Sequence, residues 1–296
     1  MAIFNGSGVA IITPFDKDNH VNFDKLQELI EYHVANHTDA IVIVGTTGEG
    51  STLSMDEHAE CIRQAVAMTN HRIPVIAGTG SNCTETAIEL SKEADAFGVD
   101  GILVVTPYYN KSTQRGLKEH YTAIAKSVNT PLIIYNVPSR TGCKVNVETA
   151  ADLILNVDNI VGMKDATGDI TNAADLMYLT HGQCELYSGN DDQVVPMLSV
   201  GGIGVISVLA NVAPQQTHDM CASYLAGDVQ KAREIQIQAM PLIHALFSEV
   251  NPIPVKYAMN AMGFEVGSLR APLTEMEEVN AKKLVAELNA FGIQTV

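Results

Sequence analysis

Short apolar runs recur eight times in the first two-thirds of this chain: Gly8–Thr13, Ala40–Val44, Pro74–Ala77, Gly101–Val105, Pro131–Tyr135, Ile160–Met163, Cys184–Tyr187 and Gly204–Val208. They are rich in Val and Ile and mostly lack polar alternation. A strand with one solvated face alternates, whereas a strand buried on both faces of a parallel sheet does not. Segments of helical period separate them, such as Leu26, Leu29, Ile30, Val34 and Leu117, Tyr121, Ile124, Val128. Start and stop signals agree: Ser54 and Glu57 have capping-box spacing, Thr84 is placed to cap a helix that Gly98 ends, and Ala213-Pro214 puts proline in a first turn. Eight strand–helix units predict an α/β fold, a (β/α)8 TIM barrel, for which ~250 residues is typical. A doubly wound open sheet is the alternative, but no Gly-rich dinucleotide fingerprint follows the first strand.

The eight units end near Leu225. Residues 1–225 are therefore expected to form the catalytic barrel and 226–296 a C-terminal helical extension. In that extension Asp228–Phe247 reads as a helix kinked by Pro241, Pro254–Met262 as a second, and Thr274–Phe291 as a third that starts at a Thr274–Glu277 capping box.

Charge and cysteine usage exclude several functions. With a net charge of −16 and a pI near 4.8, the surface repels nucleic acid and anionic membranes. No apolar run reaches the roughly 20 residues that cross a bilayer. Met1–Gly8 lacks a basic segment followed by a long apolar one, so a cytoplasmic location is expected. The five cysteines are scattered without C-x-x-C spacing, against a disulfide framework or a zinc–thiolate site.

In a barrel the chemistry lies at the carboxyl ends of the strands. The sixth run ends in Lys164-Asp165. Lysine is almost never fully buried, and an ammonium in apolar surroundings loses its proton more readily, leaving an amine that attacks carbonyls. The alternative for Lys164 is a side chain that snorkels to solvent. Lys256 is the one serious competitor among the other eleven lysines, and it falls in the extension. After the second run, Gly45-Thr46-Thr47-Gly48-Glu49-Gly50 is either an anion cradle suited to a carboxylate or a tight turn that needs glycine. Tyr108 and Tyr109 follow the fourth run as a packed pair or as proton carriers. Tyr135 ends the fifth strand and points toward the same volume as Lys164, one strand over. Arg140, one of six arginines, suits a substrate carboxylate, or else pairs with Glu148.

Other chemistries find less support. His33 and His37 have i, i+4 spacing, but no Glu follows His33, and the histidines do not otherwise cluster as a metal-dependent aldolase would need. Asp191-Asp192 reads as a helix cap rather than a Mg²⁺ site. No G-x-S-x-G elbow is present. The Schiff-base reading of Lys164, in which the imine itself is the electron sink, requires no metal or organic cofactor.

Taken in order, Gly45-Thr46-Thr47-Gly48-Glu49, Pro107-Tyr108-Tyr109-Asn110, Tyr135-Asn136-Val137-Pro138-Ser139-Arg140-Thr141-Gly142 and Lys164-Asp165-Ala166-Thr167-Gly168 resemble the dihydrodipicolinate synthase family of class I pyruvate-dependent aldolases. The likeness extends to Ser188-Gly189-Asn190-Asp191-Asp192, Gly204-Val205-Ile206-Ser207 and Asn251-Pro252-Ile253-Pro254-Val255-Lys256. It implies condensation of pyruvate with L-aspartate-4-semialdehyde in lysine and diaminopimelate synthesis. By the same resemblance, Lys164 would carry the imine, and Tyr135, Thr47 and a neighbouring subunit's copy of Tyr109 would relay protons. Thr46 and Thr47 would hold the pyruvate carboxylate and Arg140 that of the semialdehyde. Gly189 and Ile206 would shape the site through their backbones.

The resemblance further implies a homo-oligomer, a tetramer of tight dimers, with a lysine effector site near Gly50, Ser51, Met55, His58, Asn82, Thr86 and Tyr108. Sensitive members commonly carry His where this chain has Met55 and Glu where it has Thr86, so weak or absent feedback is expected. N-acetylneuraminate lyase or a keto-deoxy sugar acid aldolase is the alternative within the superfamily, disfavoured by Thr46-Thr47 and Arg140. A non-catalytic binding protein on the same barrel would be expected to have lost Lys164 or Tyr135.

Overall fold

The computed structural model describes residues 2–296; in Met1–Gly8, where no secretory signal is expected, Met1 lies outside the described residues. Eight parallel strands close into a barrel in sequence order: β1 (Gly6–Ala10), β2 (Ala40–Ile43), β3 (Val75–Gly78), β4 (Gly101–Val105), β5 (Leu132–Asn136), β6 (Ile160–Asp165), β7 (Glu185–Ser188) and β8 (Gly204–Ser207). The barrel shuts where β1 pairs with β8, Gly6 opposite Gly204 and Val9 opposite Ser207.

The outer layer comprises α1 (Phe23–Ala35), α2 (Met55–Thr69), α3 (Thr84–Phe97), α4 (Gln114–Ala125), the short α5 (Pro138–Thr141), α6 (Val147–Asn156), α7 (Ile170–Leu179), α8 (Val194–Ser199) and α9 (Pro214–Leu225). Then follow α10 (Val229–Leu246), α11 (Ile253–Ala261) and α12 (Glu278–Ala290).

Strand alternation creates two cores. Ile41, Ile43, Ile102, Val104, Ile134, Leu186 and Val205 face the helices and pack with residues such as Leu26, Leu117 and Ile124. Val42, Leu103, Ile133, Tyr135, Tyr187 and Ile206 fill the barrel itself with Phe4, whose ring stacks on Tyr187 at 4.5 Å. Both faces of the sheet are thus largely apolar, which is why the sequence shows runs rather than alternation.

Several local expectations hold. Ser54 and Glu57 make a reciprocal capping box on α2, Gly98 ends α3 at φ +79°, and Pro214 sits in the first turn of α9. Others are displaced by tertiary bonds. β1 spans Gly6–Ala10, not Gly8–Thr13, because the Ile12 N–H donates to the Asn211 side chain rather than to a strand. Cys83, not Thr84, precedes α3, and Thr84 Oγ1 lies 2.9 Å from His120 Nδ1 instead. The last helix starts at Glu278 rather than Thr274, since Glu249 accepts the Glu277 N–H that a Thr274 cap would have taken. Pro241 lies inside a single helix that continues to Leu246.

Candidate active site

The carboxyl ends of the strands open into a cavity of about 660 Å³. In the β5–β6 register Tyr135 is the partner of Lys164, and both point into the barrel. Lys164 Nζ stands 4.2 Å from the centroid of the Tyr135 ring. Only 7% of Lys164 is exposed, which rules out snorkelling to solvent. Burial draws its pKa down to about 7; the Asp191 carboxylate opposes this and the Arg140 charge adds to it. Burial pushes the Tyr135 phenol up, against the Arg140 charge and the Thr46 hydroxyl.

Lys256, the competing lysine, has a different fate. It is 1% exposed, but its Nζ sits 2.7 Å from Glu49 Oε1 and 3.9 Å from the Phe15 ring centroid. Its charge is compensated, and its pKa falls only to about 8. Among the described residues Lys164 has no such ion pair.

The glycine-rich loop supplies the opposite wall. Val44, a β-branched residue, turns into it at φ +50°, a conformation such side chains rarely adopt and one that concentrates at functional sites. Gly50 is obligatory, as a Cβ there would meet the Val44 carbonyl oxygen at 2.2 Å. Thr46 is exposed to the cavity, whereas Thr47 is buried beside it. Asn251 Nδ2 donates to Thr47 Oγ1 at 3.0 Å. Glu49, held by Lys256, also accepts the Arg270 backbone N–H at 2.9 Å. The extension therefore holds the loop at Thr47 and again at Glu49.

Arg140, on the short α5 after β5, lines the cavity and, among the described residues, makes no ion pair with Glu148. Gly189 also lines it, packed so closely on Ala166 that an added Cβ would approach the Ala166 Cβ to 2.7 Å. Ile206 does not reach the cavity surface; it is buried in the barrel interior. Tyr109 lies outside the cavity, 91% exposed, with its backbone at φ +68°. Gly50, Ser51, Met55, His58, Thr86 and Tyr108 also line the cavity, and the His58 Nε2 sits 2.9 Å from the Gly78 carbonyl oxygen. Asn82 is outside it, its carbonyl taken by Asn110.

Asp191 does not cap its own helix, contrary to the sequence expectation. Its Oδ2 accepts from the N–H groups of Val208 and Leu209, at the turn after β8. That buried carboxylate, Asn251 and Lys256 are the residues sequence reasoning undervalued. The one signal available was Asn251-Pro252-Ile253-Pro254-Val255-Lys256 itself, a polar residue and a lysine bracketing an apolar stretch. Among the described residues no group of three or more His, Cys, Asp or Glu side chains is placed to hold a metal ion.

A lysine kept free of ion-pair partners, its charge disfavoured and a phenol against it, equips this (β/α)8 barrel for carbonyl chemistry at an amine. The comparisons with known proteins specify which barrel. The family model described as the dihydrodipicolinate synthetase family matches residues 3–291. The chain is 58% identical over 293 residues to 4-hydroxy-tetrahydrodipicolinate synthase of Lachnoclostridium phytofermentans, covering 99% of this chain and 100% of that protein. It superimposes with TM-score 0.96 on the chloride-inhibited dihydrodipicolinate synthase from Acinetobacter baumannii complexed with pyruvate, at 46% identity, covering 98% and 99% of the two chains. The dihydrodipicolinate synthase from Aquifex aeolicus gives TM-score 0.96 at 43% identity, covering 99% of each. The chain belongs to the dihydrodipicolinate synthetase family.

Proposed function

We propose that this protein is a 4-hydroxy-tetrahydrodipicolinate synthase, a carbon–oxygen lyase of the hydro-lyase class that condenses pyruvate with L-aspartate-4-semialdehyde for lysine and diaminopimelate synthesis. The observation that carries it is the buried Lys164 amine 4.2 Å from the Tyr135 ring in a cavity that Arg140 also lines. Family membership and the full-length likeness support the same reaction.

In this mechanism the neutral Lys164 amine attacks the pyruvate keto carbon, and loss of water gives an imine. The imine acts as an electron sink, so a methyl proton leaves and an enamine forms. The enamine carbon attacks the aldehyde of the second substrate. That substrate's own amine then displaces Lys164, closing the ring and freeing the enzyme. Tyr135 and Thr47 carry protons, with Tyr109 contributed by a second copy of the chain; the exposure of Tyr109 and its displacement from its own cavity support that role. Thr46 and Thr47 hold the pyruvate carboxylate, Arg140 the semialdehyde carboxylate, and the Gly189 backbone shapes the site at the cavity wall while that of Ile206 acts from the barrel interior.

The working assembly is a homo-oligomer, a tetramer of tight dimers. Residues 1–225 are the catalytic barrel and 226–296 its helical extension. A cytoplasmic location is supported by five unpaired cysteines, and no helix among the described residues is long and apolar enough to cross a membrane. Gly50, Ser51, His58, Asn82 and Tyr108 form the effector site, and Met55 and Thr86 make lysine a weak inhibitor or none; half-inhibition well below millimolar lysine overturns that expectation.

The test of the activity is direct. The purified protein should consume pyruvate only when aspartate semialdehyde is present, and should leave sialic acid uncleaved. Sialic acid cleavage without the condensation overturns the assignment.

A further inference from the structure

The part of the chain that holds Thr47 comes from 204 residues away. Asn251 and Thr47 are both buried, and Asn251 Nδ2 donates to Thr47 Oγ1 at 3.0 Å. The other end of the amide, Asn251 Oδ1, is buried with no hydrogen-bond partner. This asymmetry decides which way round the amide sits. In the orientation observed, the carbonyl oxygen and one of the two N–H groups are without partners. Reversed, both N–H groups of an NH₂ would be buried at that place without acceptors, and orphaned N–H groups are the rarer in proteins.

Thr47 has one hydroxyl proton and two lone pairs. Because Asn251 donates to its oxygen, the Thr47 proton is not spent on Asn251 and is free for an acceptor elsewhere. Thr47 and Asn251 both line the cavity, in which Tyr135 and Lys164 also lie, so the acceptor for that proton is to be found there. The loop is also braced: Lys256 Nζ and the Arg270 N–H both bind the Glu49 carboxylate, two residues further along, so the extension holds the loop at Glu49 as well as at Thr47.

We propose that Asn251 is a positioning residue for the condensation: it sets the Thr47 hydroxyl as a proton donor toward the cavity and so fixes the direction in which Thr47 passes protons. This rests on the reading of Thr47 as a relay member. An unpartnered buried acceptor is destabilising, and an apolar side chain would pack the place without that penalty. Retaining an amide there makes sense when its N–H has work to do at Thr47.

The experiment compares Asn251→Ala, Asn251→Asp, Thr47→Val and the double variant Asn251→Asp/Thr47→Val. Each is assayed for kcat and KM across pH, and for trapping of the pyruvate adduct by borohydride. Asn251→Ala should lower kcat roughly 10- to 100-fold, the scale of a misplaced catalytic group, with KM for pyruvate little changed and the adduct still formed. Asn251→Asp preserves shape, but its ionised carboxylate cannot donate. Its kcat relative to wild type should therefore recover toward acid pH, as the carboxyl gains a proton to give Thr47, while Asn251→Ala shows no recovery. In the Thr47→Val background Asn251→Asp should add little further loss.

Wild-type kcat in Thr47→Val sinks the relay reading and this proposal with it. Impaired Thr47→Val with a fully additive double variant, or an Asn251→Asp ratio that is flat with pH, overturns the role of Asn251 alone. Should Asn251→Ala not fold, the shape-preserving Asn251→Asp decides the matter by its pH profile.

Discussion

Lys164 and Tyr135 are direct register partners on β6 and β5, and this pairing brings the Lys164 ammonium 4.2 Å from the centre of the Tyr135 ring. Partners in a parallel sheet share a face, so both side chains enter the barrel at the same height. The ring shields the amine from water while its π-face partly compensates the charge. Burial still dominates, because the pKa of Lys164 falls to about 7 despite the Asp191 carboxylate. Tyr135 thus forms part of the dry wall around the amine, and the proposed mechanism also has its phenol carry a proton.

Lys164→Ala should abolish the mass adduct that borohydride traps with pyruvate, together with condensation activity. Tyr135→Phe keeps the ring but not the proton; kcat should drop by ~10²–10⁴, the usual worth of a general acid–base group. Mass spectrometry and steady-state kinetics separate the two. An adduct on another lysine in Lys164→Ala, or a fully active Tyr135→Phe, contradicts the mechanism.

The rate of imine formation should rise through pH about 7 and level off above it, as Lys164 loses its proton. Asp191 holds that pKa up, so Asp191→Asn should move the midpoint to lower pH. Stability follows with a definite sign. An unfolded lysine keeps its proton to about 10.5, the folded one only to about 7, so between these values the unfolded chain binds more protons. The contribution of Lys164 to stability is therefore greatest above about pH 10.5 and lost as pH falls to about 7. Denaturant titrations of wild type and Lys164→Met at several pH values would expose the difference.

Arg140→Ala should raise KM for aspartate semialdehyde and cut its kcat/KM by roughly 10- to 100-fold, as expected for one lost charge-assisted hydrogen bond. Trapping with pyruvate alone should be unaffected. Equal losses toward both substrates would place Arg140 on pyruvate instead.

Lys256→Met leaves Glu49 buried without its partner and should destabilise the fold by about 3–5 kcal/mol. The loop between Val44 and Thr52 should loosen at the same time, raising KM for pyruvate. The double variant Lys256→Met/Glu49→Gln should regain part of the stability in chemical denaturation, because no unpaired charge remains. A single variant as stable as wild type would mean that water reaches the pair.

Much of the fold was legible because parallel barrel strands are apolar on both faces, and that leaves uninterrupted Val- and Ile-rich runs. Lys164 stood out for the same reason: it closes the apolar run Ile160–Met163. Tyr135 followed from its place one strand earlier. Strand ends were less legible. The Ile12 N–H could go to Asn211 only after β1 and β8 had met, and Glu249 reaches the Glu277 N–H only once α10 and α12 have packed.

The sequence by itself determined the barrel, the order of its strands and the end of it where the lysine, the phenol, the arginine and the glycine loop gather, since these depend on local pattern and strand direction. The tertiary structure alone decided which lysine is free. Lys164 and Lys256 are both buried, but a carboxylate 207 residues away along the chain holds Lys256, whereas among the described residues Lys164 has no ion-pair partner. It also decided that Asn251 meets Thr47 and that Asp191 serves the turn after β8. Hydrogen bonds and ion pairs between distant segments leave no periodicity in a sequence; they exist only when closure of the barrel and docking of the last helices bring the partners within about 3 Å of each other.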